Sequence, residues 1–563
     1  MKYQFIPSWY TREGLWYTGE RPWFEPAEQY EFDDTINQLS IFQGAGEDAG
    51  LLLLSYTPGL RRLLNRENLL RIPVVSLFDR MQGIHRTMPG MLLYRSLPWP
   101  EDTEFLITPY CAYAQRTFGS RKETFARVDF GEDGNFIYIT WLNDDEPFAR
   151  DIYDDRGFLS SRIYYTKKRK VINIQKDRKK DLEKSENHAD IKDQNASDNI
   201  SLKRGLEKVP KNGDQDLSIV TKIDYFDEAG QLQFTENRLD GTVSISGQAV
   251  YPYKKAYYHG FGEMLSEVLF DYFHVPENAN ASIVLASDPQ HNPIVLSTLA
   301  EQKLVLSLAG GRFSNNINLL SIEQDAGRAV MIVTDTEHLA KLLRKDTAIS
   351  VPIYDITPFD TRLELGKSPQ IRALKILMPV DGFSGIYLEK ALKQVLQYMK
   401  KNPAVELHML IRGDDARAEE ASEMLEGVCH AAGFPDVSIG MEGEKKRIGL
   451  PVFLDTYLSE TDLLRLLEDI RVILDLRDQP NLYLQIAGIS TGIPEINYRF
   501  TQYVDHQKNG YIVENIDHVT EALEYYLSEL SHWNEALVYC MDKIQLYRGG
   551  TLVEKWKALT EGK

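Results

Sequence analysis

Residues 463–497 read LLRLLEDIRVILDLRDQPNLYLQIAGISTGIPEIN, and this stretch decides the class of fold. Leucines at helical spacing predict a helix, and residues 472–476 follow as a short apolar strand of the buried kind. A loop, a second short helix and the tight turn Gly492-Ile493-Pro494 complete the segment. Helix, strand, loop and helix in this order predict a Rossmann-like lobe, in which helices flank a parallel sheet.

The composition restricts both the number of domains and the class of function. A chain of 563 residues predicts two or three domains, and 43% hydrophobic residues allow a soluble globular fold. The net charge of −19 argues against a nucleic-acid-binding protein, because phosphate binding needs clustered lysine and arginine. The three cysteines match no metal or redox spacing, which favours a reduced cytoplasmic setting. We expect no signal peptide, because the N-terminus lacks a long apolar core.

Alternating strands and helices in the first part of the chain predict another Rossmann-like lobe. Apolar residues at helical spacing in 35–42 follow a cap at Asp33 or Asp34, and 51–54 is a short all-apolar strand. A helix at 60–70 and a strand at 73–78 continue the alternation. We assign residues 1–110 and 251–345 to this first lobe.

The period changes from helical to two between residues 111 and 250. Three segments, at 128–137, 152–159 and 223–232, each contain an aromatic strand, an acidic turn that ends in glycine, and another strand. Such turns are hairpin signals because glycine accepts a positive φ. We therefore predict an inserted antiparallel β-meander, interrupted by a disordered loop at about 167–216 that is too polar to order itself.

A second Rossmann-like lobe is predicted at 371–535, followed by a C-terminal helix at 536–563. It resembles the nucleotide lobe of retaining glycosyltransferases of the two-Rossmann (GT-B) type, which place two glutamates eight positions apart ahead of the Gly-x-Pro turn. Those positions are Gln479 and Ala487 here. A shift of one residue would bring in Asp478, but no carboxylate occurs in residues 479–491.

The first loop of the second lobe differs from active transferases as well. Active members carry a basic residue there, because a pyrophosphate needs a cation or a well-aimed helix N-terminus. Residues 378–385 read MPVDGFSG and contain no arginine or lysine, and Asp381 would repel a diphosphate. We therefore interpret Gln479, Ala487 and Asp381 as positions of a degenerate donor site, and we predict no catalytic, cofactor-binding or metal-binding residues.

The sequence gives little support for other catalytic or binding sites. No Gly-x-Ser-x-Gly, His-Glu-x-x-His or Walker sequence occurs, and nothing near His291 and Asp288 completes a triad. Aromatic residues near the N-terminus could stack on sugar rings, although a small aromatic core or a partner contact is the favoured interpretation. They are Trp9, Tyr10, Trp16, Tyr17 and Trp23. Basic runs at 167–170 and 445–447 could contact anionic lipid, but solvated loops are favoured.

Four motifs closely resemble one family, the first subunit of the three accessory secretory proteins in the accessory Sec system of Gram-positive bacteria. They are 5–10 (FIPSWY), 32–39 (FDDTINQL), 51–56 (LLLLSY) and 485–494 (QIAGISTGIP). The resemblance implies a GT-B-like protein with an inserted β domain that lacks a donor site. It also implies two sister subunits, an accessory SecA-type motor ATPase and export of glycosylated serine-rich repeat adhesins. The implied location is cytoplasmic, with the inner face of the cell membrane as a peripheral alternative.

Three functional hypotheses follow. The favoured one is a non-enzymatic scaffold without a cofactor, which co-purifies with its sister subunits and turns over no sugar nucleotide. The second is an active glycosyltransferase that modifies serine-rich acceptors and binds UDP-sugars saturably. The third is a glycan-binding module whose affinity for glycans needs no partner.

Overall fold

The computed structural model describes most of the chain in several stretches. These are residues 2–10, 16–18, 20–25, 32–67, 69–118, 121–167, 218–309, 319–345, 348–362, 372–383, 385–413, 415–439 and 449–560. The predicted disordered loop at about 167–216 and the basic run at 445–447 therefore lie almost entirely outside the described residues. The chain divides into two compact units, residues 1–28 with 49–304 and residues 29–48 with 305–563.

The first unit contains four parallel strands and a large antiparallel sheet. The parallel strands lie in the order Ser282–Ala286, Tyr3–Ile6, Ala49–Leu53 and Val74–Ser76. Their residues are almost entirely buried and apolar, which suits strands covered on both faces. The described helices of this unit are Leu60–Arg66, Leu77–Gln82, Phe261–Phe273 and Asn292–Thr298, with a 3-10 turn at Tyr94–Ser96.

The antiparallel sheet is the predicted meander, and its described strands pair in chain order. They are Glu104–Ile107, Cys111–Phe118, Arg121–Phe130, Phe136–Asn143, Glu146–Asp154, Phe158–Lys167, Ser218–Phe226, Leu232–Asn237, Val243–Ile245 and Tyr257–Tyr258. The three predicted hairpins are confirmed, and glycine adopts a positive φ in each turn, at Gly134, Gly157 and Gly230. The acidic turns therefore form the hairpins that their sequences predict, because glycine alone adopts a positive φ without steric cost.

The second unit contains two sets of parallel strands. Lys303–Leu308, Met331–Thr334 and Ile353–Asp355 form one set. The other has the order Val452–Tyr457, Val405–Arg412, Leu374–Pro379, Ile470–Asp475, Glu495–Asn497 and Gly510–Ile512. The described helices are Asp34–Gly44, Leu319–Ala326, Glu337–Arg344, Gly385–Lys401, Asp415–Ala431, Glu460–Leu467, Leu482–Thr491, Val519–Leu527, Leu530–Ile544 and Gly549–Thr560, with a 3-10 turn at Ile516–His518.

The decisive segment folds as its sequence predicts. Ser459 and Asp462 form a capping box at the start of Glu460–Leu467, and the buried strand Ile470–Asp475 follows. Neighbouring strand residues point to opposite faces: Val472 belongs to one apolar cluster and Ile473 to another. The strand is covered on both faces at its apolar centre, Val472, Ile473 and Leu474, and each fully buried apolar side chain stabilises the fold by roughly 1.5–3 kcal/mol.

The tight turn ends the helix Leu482–Thr491. Gly492 adopts a φ of 74°, and a Cβ there would lie 2.0 Å from Leu537 Cδ1. The left-handed backbone disfavours residues with a Cβ, and a Cβ would also displace the Leu537 side chain, so this glycine stops the helix and turns the chain into Glu495–Asn497.

Candidate functional site

The carboxyl ends of the parallel strands in the second unit form the candidate site. Ligands of parallel α/β sheets bind at this edge, because the loops that follow the strands meet there. Asp381 lies just beyond Leu374–Pro379 and is half-buried. Its carboxylate accepts hydrogen bonds from the backbone N–H of Arg412 (2.6 Å) and from the side chain of Arg417 (2.9 Å), and its carbonyl oxygen accepts one from Arg477 (3.2 Å).

A buried ion pair lies beside this loop. The carboxylate of Asp475 is 0% exposed and accepts hydrogen bonds from Arg477 Nε (2.8 Å) and Nη2 (2.5 Å). The backbone N–H of Asn481 donates a further bond of 2.8 Å to the same carboxylate. Because Asp475 engages the guanidinium with two bonds, most of the charge of Arg477 is neutralised within the protein.

The two positions expected to carry glutamates lie in different environments. Gln479 is exposed in the loop before the helix Leu482–Thr491. Ala487 is only 4% exposed and belongs to the apolar cluster that includes Leu377 and Ile473. A methyl group in this cluster offers no hydrogen bond to a ribose or a sugar, so position 487 contributes packing alone.

A buried carboxylate that the sequence interpretation did not consider is Glu495, directly after the Gly-x-Pro turn. It is 2% exposed, and neither carboxylate oxygen makes a hydrogen bond of good geometry to a described residue. Burial, followed by the charge of Asp475, raises the pKa of Glu495 well above its ordinary value, although the nearby amides of Gln485 and Asn497 oppose this. The second unit therefore holds an acid at this edge of the sheet, but one shielded from solvent.

The arginines around Asp381 were also missed by the sequence interpretation. The loop itself contains no cation, but the side chains of Arg417 and Arg477 reach the carboxylate and the carbonyl oxygen of Asp381 from other elements. Arg412 contributes only its backbone N–H. A usable signal existed for Arg412, because the mostly apolar run 407–411 that precedes it is typical of a buried strand. The loops that follow neighbouring parallel strands lie at one edge of the sheet. Asp381 is thus not an isolated negative charge.

The first unit has a polar cluster in an equivalent position, after Tyr3–Ile6 and Ser282–Ala286. Ser8 donates a hydrogen bond to Asp288 (2.5 Å), and His291 is fully buried. His291 Nε2 lies 2.8 Å from the Ala286 carbonyl oxygen and must donate, so Nδ1 accepts from the Tyr10 hydroxyl at 2.8 Å. Burial, followed by the charge of Asp288, raises the pKa of Tyr10 well above its ordinary value, which keeps the hydroxyl protonated. The cluster is internally bonded and leaves no nucleophile for a triad.

The N-terminal aromatic residues mostly pack inside the first unit. Trp9 is 1% exposed, Trp16 packs on Phe261 at 5.5 Å between ring centroids, and the Tyr17 hydroxyl bonds that of Tyr138. Trp23 is about half exposed. These contacts describe a small aromatic core, the interpretation favoured from the sequence.

Other chemical sites are scarce in the described part of the chain. All three cysteines are free and buried, and burial raises the pKa of the Cys429 thiol to about 11 and that of Cys540 to about 12, so neither forms a reactive thiolate at neutral pH. The described residues contain no group of three or more histidine, cysteine, aspartate or glutamate side chains placed to hold a metal ion. None of the described helices has both the length and the apolar character needed to cross a bilayer.

Comparison with known proteins gives matches along nearly the whole chain. The family model for the accessory Sec system protein known as accessory secretory protein 1 matches residues 2–197 and 219–562. A relative from Streptococcus gordonii, described by the same name, is 28% identical over 569 residues, which cover 99% of this chain and 98% of the relative.

Solved structures agree with the fold. The complex of accessory secretory proteins 1, 2 and 3 from Streptococcus pneumoniae contains a chain that is 27% identical, with a TM-score of 0.72 and coverage of 100% of this chain and 99% of that one. The pneumococcal O-GlcNAc transferase GtfA, solved with UDP and GlcNAc, has a TM-score of 0.65 at 10% identity, again over 100% and 99% of the two chains. At this identity the second likeness concerns the fold alone. The predicted α/β, GT-B-like fold class with an inserted antiparallel sheet is confirmed.

Proposed function

The chain belongs to the accessory secretory protein 1 family of the accessory Sec system, as its motifs predicted, and from this premise we propose that it is a non-catalytic scaffold in a protein-export complex. Its partners would be two sister accessory secretory subunits. An accessory SecA-type motor ATPase and a glycosylated serine-rich repeat adhesin would complete the machinery, and the chain would act at the cytoplasmic side of the membrane. The observation that carries the proposal is the family match over almost the full length of the chain.

Support for assembly comes from the solved relative. The chain from Streptococcus pneumoniae was solved as a complex of accessory secretory proteins 1, 2 and 3. Since the likeness covers both chains almost completely, we infer an equivalent set of partners for this protein.

Support for the absence of catalysis comes from the degenerate donor site. Gln479 is exposed but uncharged, and Ala487 is buried in an apolar cluster. Asp381 forms an ion pair with Arg417, which partly neutralises a cation that a diphosphate would need. The nearby acids Asp475 and Glu495 are both shielded from solvent, and Asp475 is already paired with Arg477. We infer that these positions neither orient a sugar nucleotide nor stabilise its leaving group.

The first experiment measures nucleotide-sugar binding. Calorimetry with UDP-GlcNAc and UDP-glucose should give no saturable heat, whereas an active GT-B enzyme measured in parallel should bind its donor. Micromolar binding by this chain would contradict the non-catalytic proposal.

The second experiment tests assembly. The tagged chain, recovered from a native extract of cells that express the sister subunits, should co-purify with both of them in fixed proportion. A tagged GT-B enzyme of similar size serves as the control and should recover neither. Recovery of this chain alone would contradict the scaffold proposal without bearing on catalysis.

An active glycosyltransferase remains the second candidate. Two observations favour it: the fold shared with an O-GlcNAc transferase, and the side chains of Arg417 and Arg477 at the first loop. It predicts transfer from a UDP-sugar to a serine-rich peptide, which mass spectrometry of the peptide detects. An unmodified peptide after prolonged incubation rejects this candidate.

A further inference from the structure

A separate cavity of about 400 Å³ lies within the second unit. Arg412 and Tyr457 end two neighbouring strands of the larger sheet there, and Asp335 follows the carboxyl end of Met331–Thr334. The N-terminal ends of the helices Asp34–Gly44 and Leu482–Thr491 also reach it. Its size falls within the range of about 300–1,000 Å³ that small-molecule sites occupy.

One side of the cavity is aromatic. Its rings belong to Phe32, Phe359, Tyr457 and Tyr483. Phe32 meets Tyr483 edge to face at 4.9 Å and Tyr457 at 5.9 Å between centroids, and Phe359 meets Tyr483 at 5.3 Å. Edge-to-face contacts fix the rings against one another, so the wall is formed before any ligand arrives.

The rest of the lining combines apolar residues such as Ala309 and Leu463 with charged groups of both signs. The Arg412 guanidinium lies 5.1 Å from the centre of the Phe32 ring, and within the described parts of the chain no carboxylate is in ion-pair distance of it. Three carboxylates line the same cavity: Asp33, Asp34 and Asp335. Asp34 accepts a bond of 2.6 Å from the Ser307 hydroxyl, which orients its carboxylate. A rigid aromatic wall therefore faces hydrogen-bond acceptors in excess and one strong donor.

We propose that this cavity binds an uncharged pyranose ring. A pyranose has an apolar face of C–H groups that packs on aromatic rings, and a rim of hydroxyl groups that both donate and accept hydrogen bonds. The hydroxyls donate to the carboxylates and accept from Arg412. Three carboxylates repel a phosphate or diphosphate, and a purely apolar ligand would leave all four charged groups without hydrogen bonds to it.

This inference goes beyond the proposed function, because it needs neither the sister subunits nor transferase chemistry. A chain that assembles correctly without binding a sugar, or binds a sugar without assembling, would separate the two proposals.

Saturation-transfer NMR on the full chain tests the inference directly. N-acetylglucosamine and methyl glucoside are the probes, and UDP is the competitor. Both sugars should receive saturation from the protein, and UDP should not displace them. The absence of transfer at the highest soluble sugar concentration, or displacement by UDP, overturns the proposal.

Two variants locate the binding. Arg412→Ala removes the donor, and Asp335→Asn removes one charged acceptor with little change of shape. Each variant should weaken sugar affinity by about tenfold, because a hydrogen bond to a charged group is lost. Arg499→Ala is the matched control, because Arg499 is exposed, pairs with Asp478 and does not line the cavity. Circular dichroism confirms that each variant is folded. Unchanged affinity in both cavity variants, or an equal loss in the control, overturns the assignment.

Discussion

The two polar clusters at the carboxyl ends of parallel strands, one in each unit, are built differently. In the first unit, Tyr10 and His291 form a chain of neutral hydrogen bonds that ends on a backbone carbonyl. In the second unit, Asp475 and Arg477 form a buried ion pair, and Glu495 beside them is a buried acid without a well-formed hydrogen bond to a described residue. The first cluster is internally satisfied, whereas the second keeps charge in a place from which water is excluded.

The comparison shows that the loops at the carboxyl ends of parallel strands can be joined either by neutral hydrogen bonds or by buried charged groups. A chain of neutral hydrogen bonds stabilises the loops it joins and has no remaining capacity for a ligand. Buried charge costs free energy unless it is paired, and so it persists where it holds loops in one geometry. The four variants below test this contrast in order of decreasing expected effect.

Arg477→Ala should have the largest effect on stability. It leaves Asp475 buried and without its cation, and breaking such a pair costs about 3–5 kcal/mol of unfolding free energy. Urea denaturation followed by circular dichroism measures the loss. Arg499→Ala, which breaks an exposed pair with Asp478, should cost less than about 1 kcal/mol. Equal losses in the two variants would show that burial of the pair does not matter.

His291→Ala should destabilise the first unit by about 2–4 kcal/mol, because it opens a cavity and removes the bonding partners of Tyr10 and the Ala286 carbonyl. Urea denaturation followed by circular dichroism measures this loss of stability as well. His274→Ala is the control, since His274 is exposed in the same unit. If His291 were instead a catalytic or ligand-binding group held under strain, its removal would leave stability unchanged or increase it.

Glu495→Gln should stabilise the protein at neutral pH by on the order of 1 kcal/mol. Burial and Asp475 raise the pKa of Glu495 above its ordinary value of 4.5. The folded state therefore keeps the proton where the unfolded chain has lost it, and unfolding free energy falls as the pH rises above 4.5 until the folded-state pKa is passed.

The glutamine variant cannot ionise, so this fall should disappear from its stability profile. The stability gained by the Gln variant over the native chain should also vanish below pH 4.5, where Glu495 is protonated in both the folded and the unfolded state. Glu514→Gln, at an exposed position of the same unit, should show no such difference. A loss of stability in Glu495→Gln at neutral pH would indicate that the carboxylate is ionised and paired.

Gln479→Glu should have the smallest effect. The side chain is exposed, so unfolding free energy should change by less than about 0.5 kcal/mol, and calorimetry should detect no gain in UDP-sugar affinity. Ala487→Glu is the informative comparison, because it places a carboxylate in an apolar cluster and should lose stability instead. Nucleotide-sugar binding by Gln479→Glu alone would mean that the donor site needs only one acid.

Much of the fold could be predicted because its signals are local. The leucine spacing of the helix Glu460–Leu467, the buried strand that follows it and the glycine of each acidic turn determine structure within a few residues. The sequence also revealed the family, because the motifs at 5–10 and 485–494 are specific. Boundaries were less accurate: the helix predicted at 60–70 ends at Arg66 in Leu60–Arg66, since helix ends depend on contacts outside the segment.

The candidate site was predicted only in part. Gln479 and Ala487 were assigned by counting back from the Gly-x-Pro turn, and Asp381 by its place in the first loop. Whether these positions abolish donor binding stays a prediction. The ion pair of Arg477, the buried acid Glu495 and the position of Arg412 were missed. Each depends on a partner whose distance in space has no simple relation to its distance in sequence.

The sequence by itself determined which segments are helices, which are buried strands and which turns need glycine, because hydrophobic period and backbone sterics act within a few residues. Only the tertiary structure decided that Asp33, Asp335 and Arg412 line one cavity. The physical reason is that hydrophobic period specifies which face of an element is buried. The three cavity residues lie at the ends of a helix and of strands from two separate parallel sets, and only the packing of those elements brings their ends together.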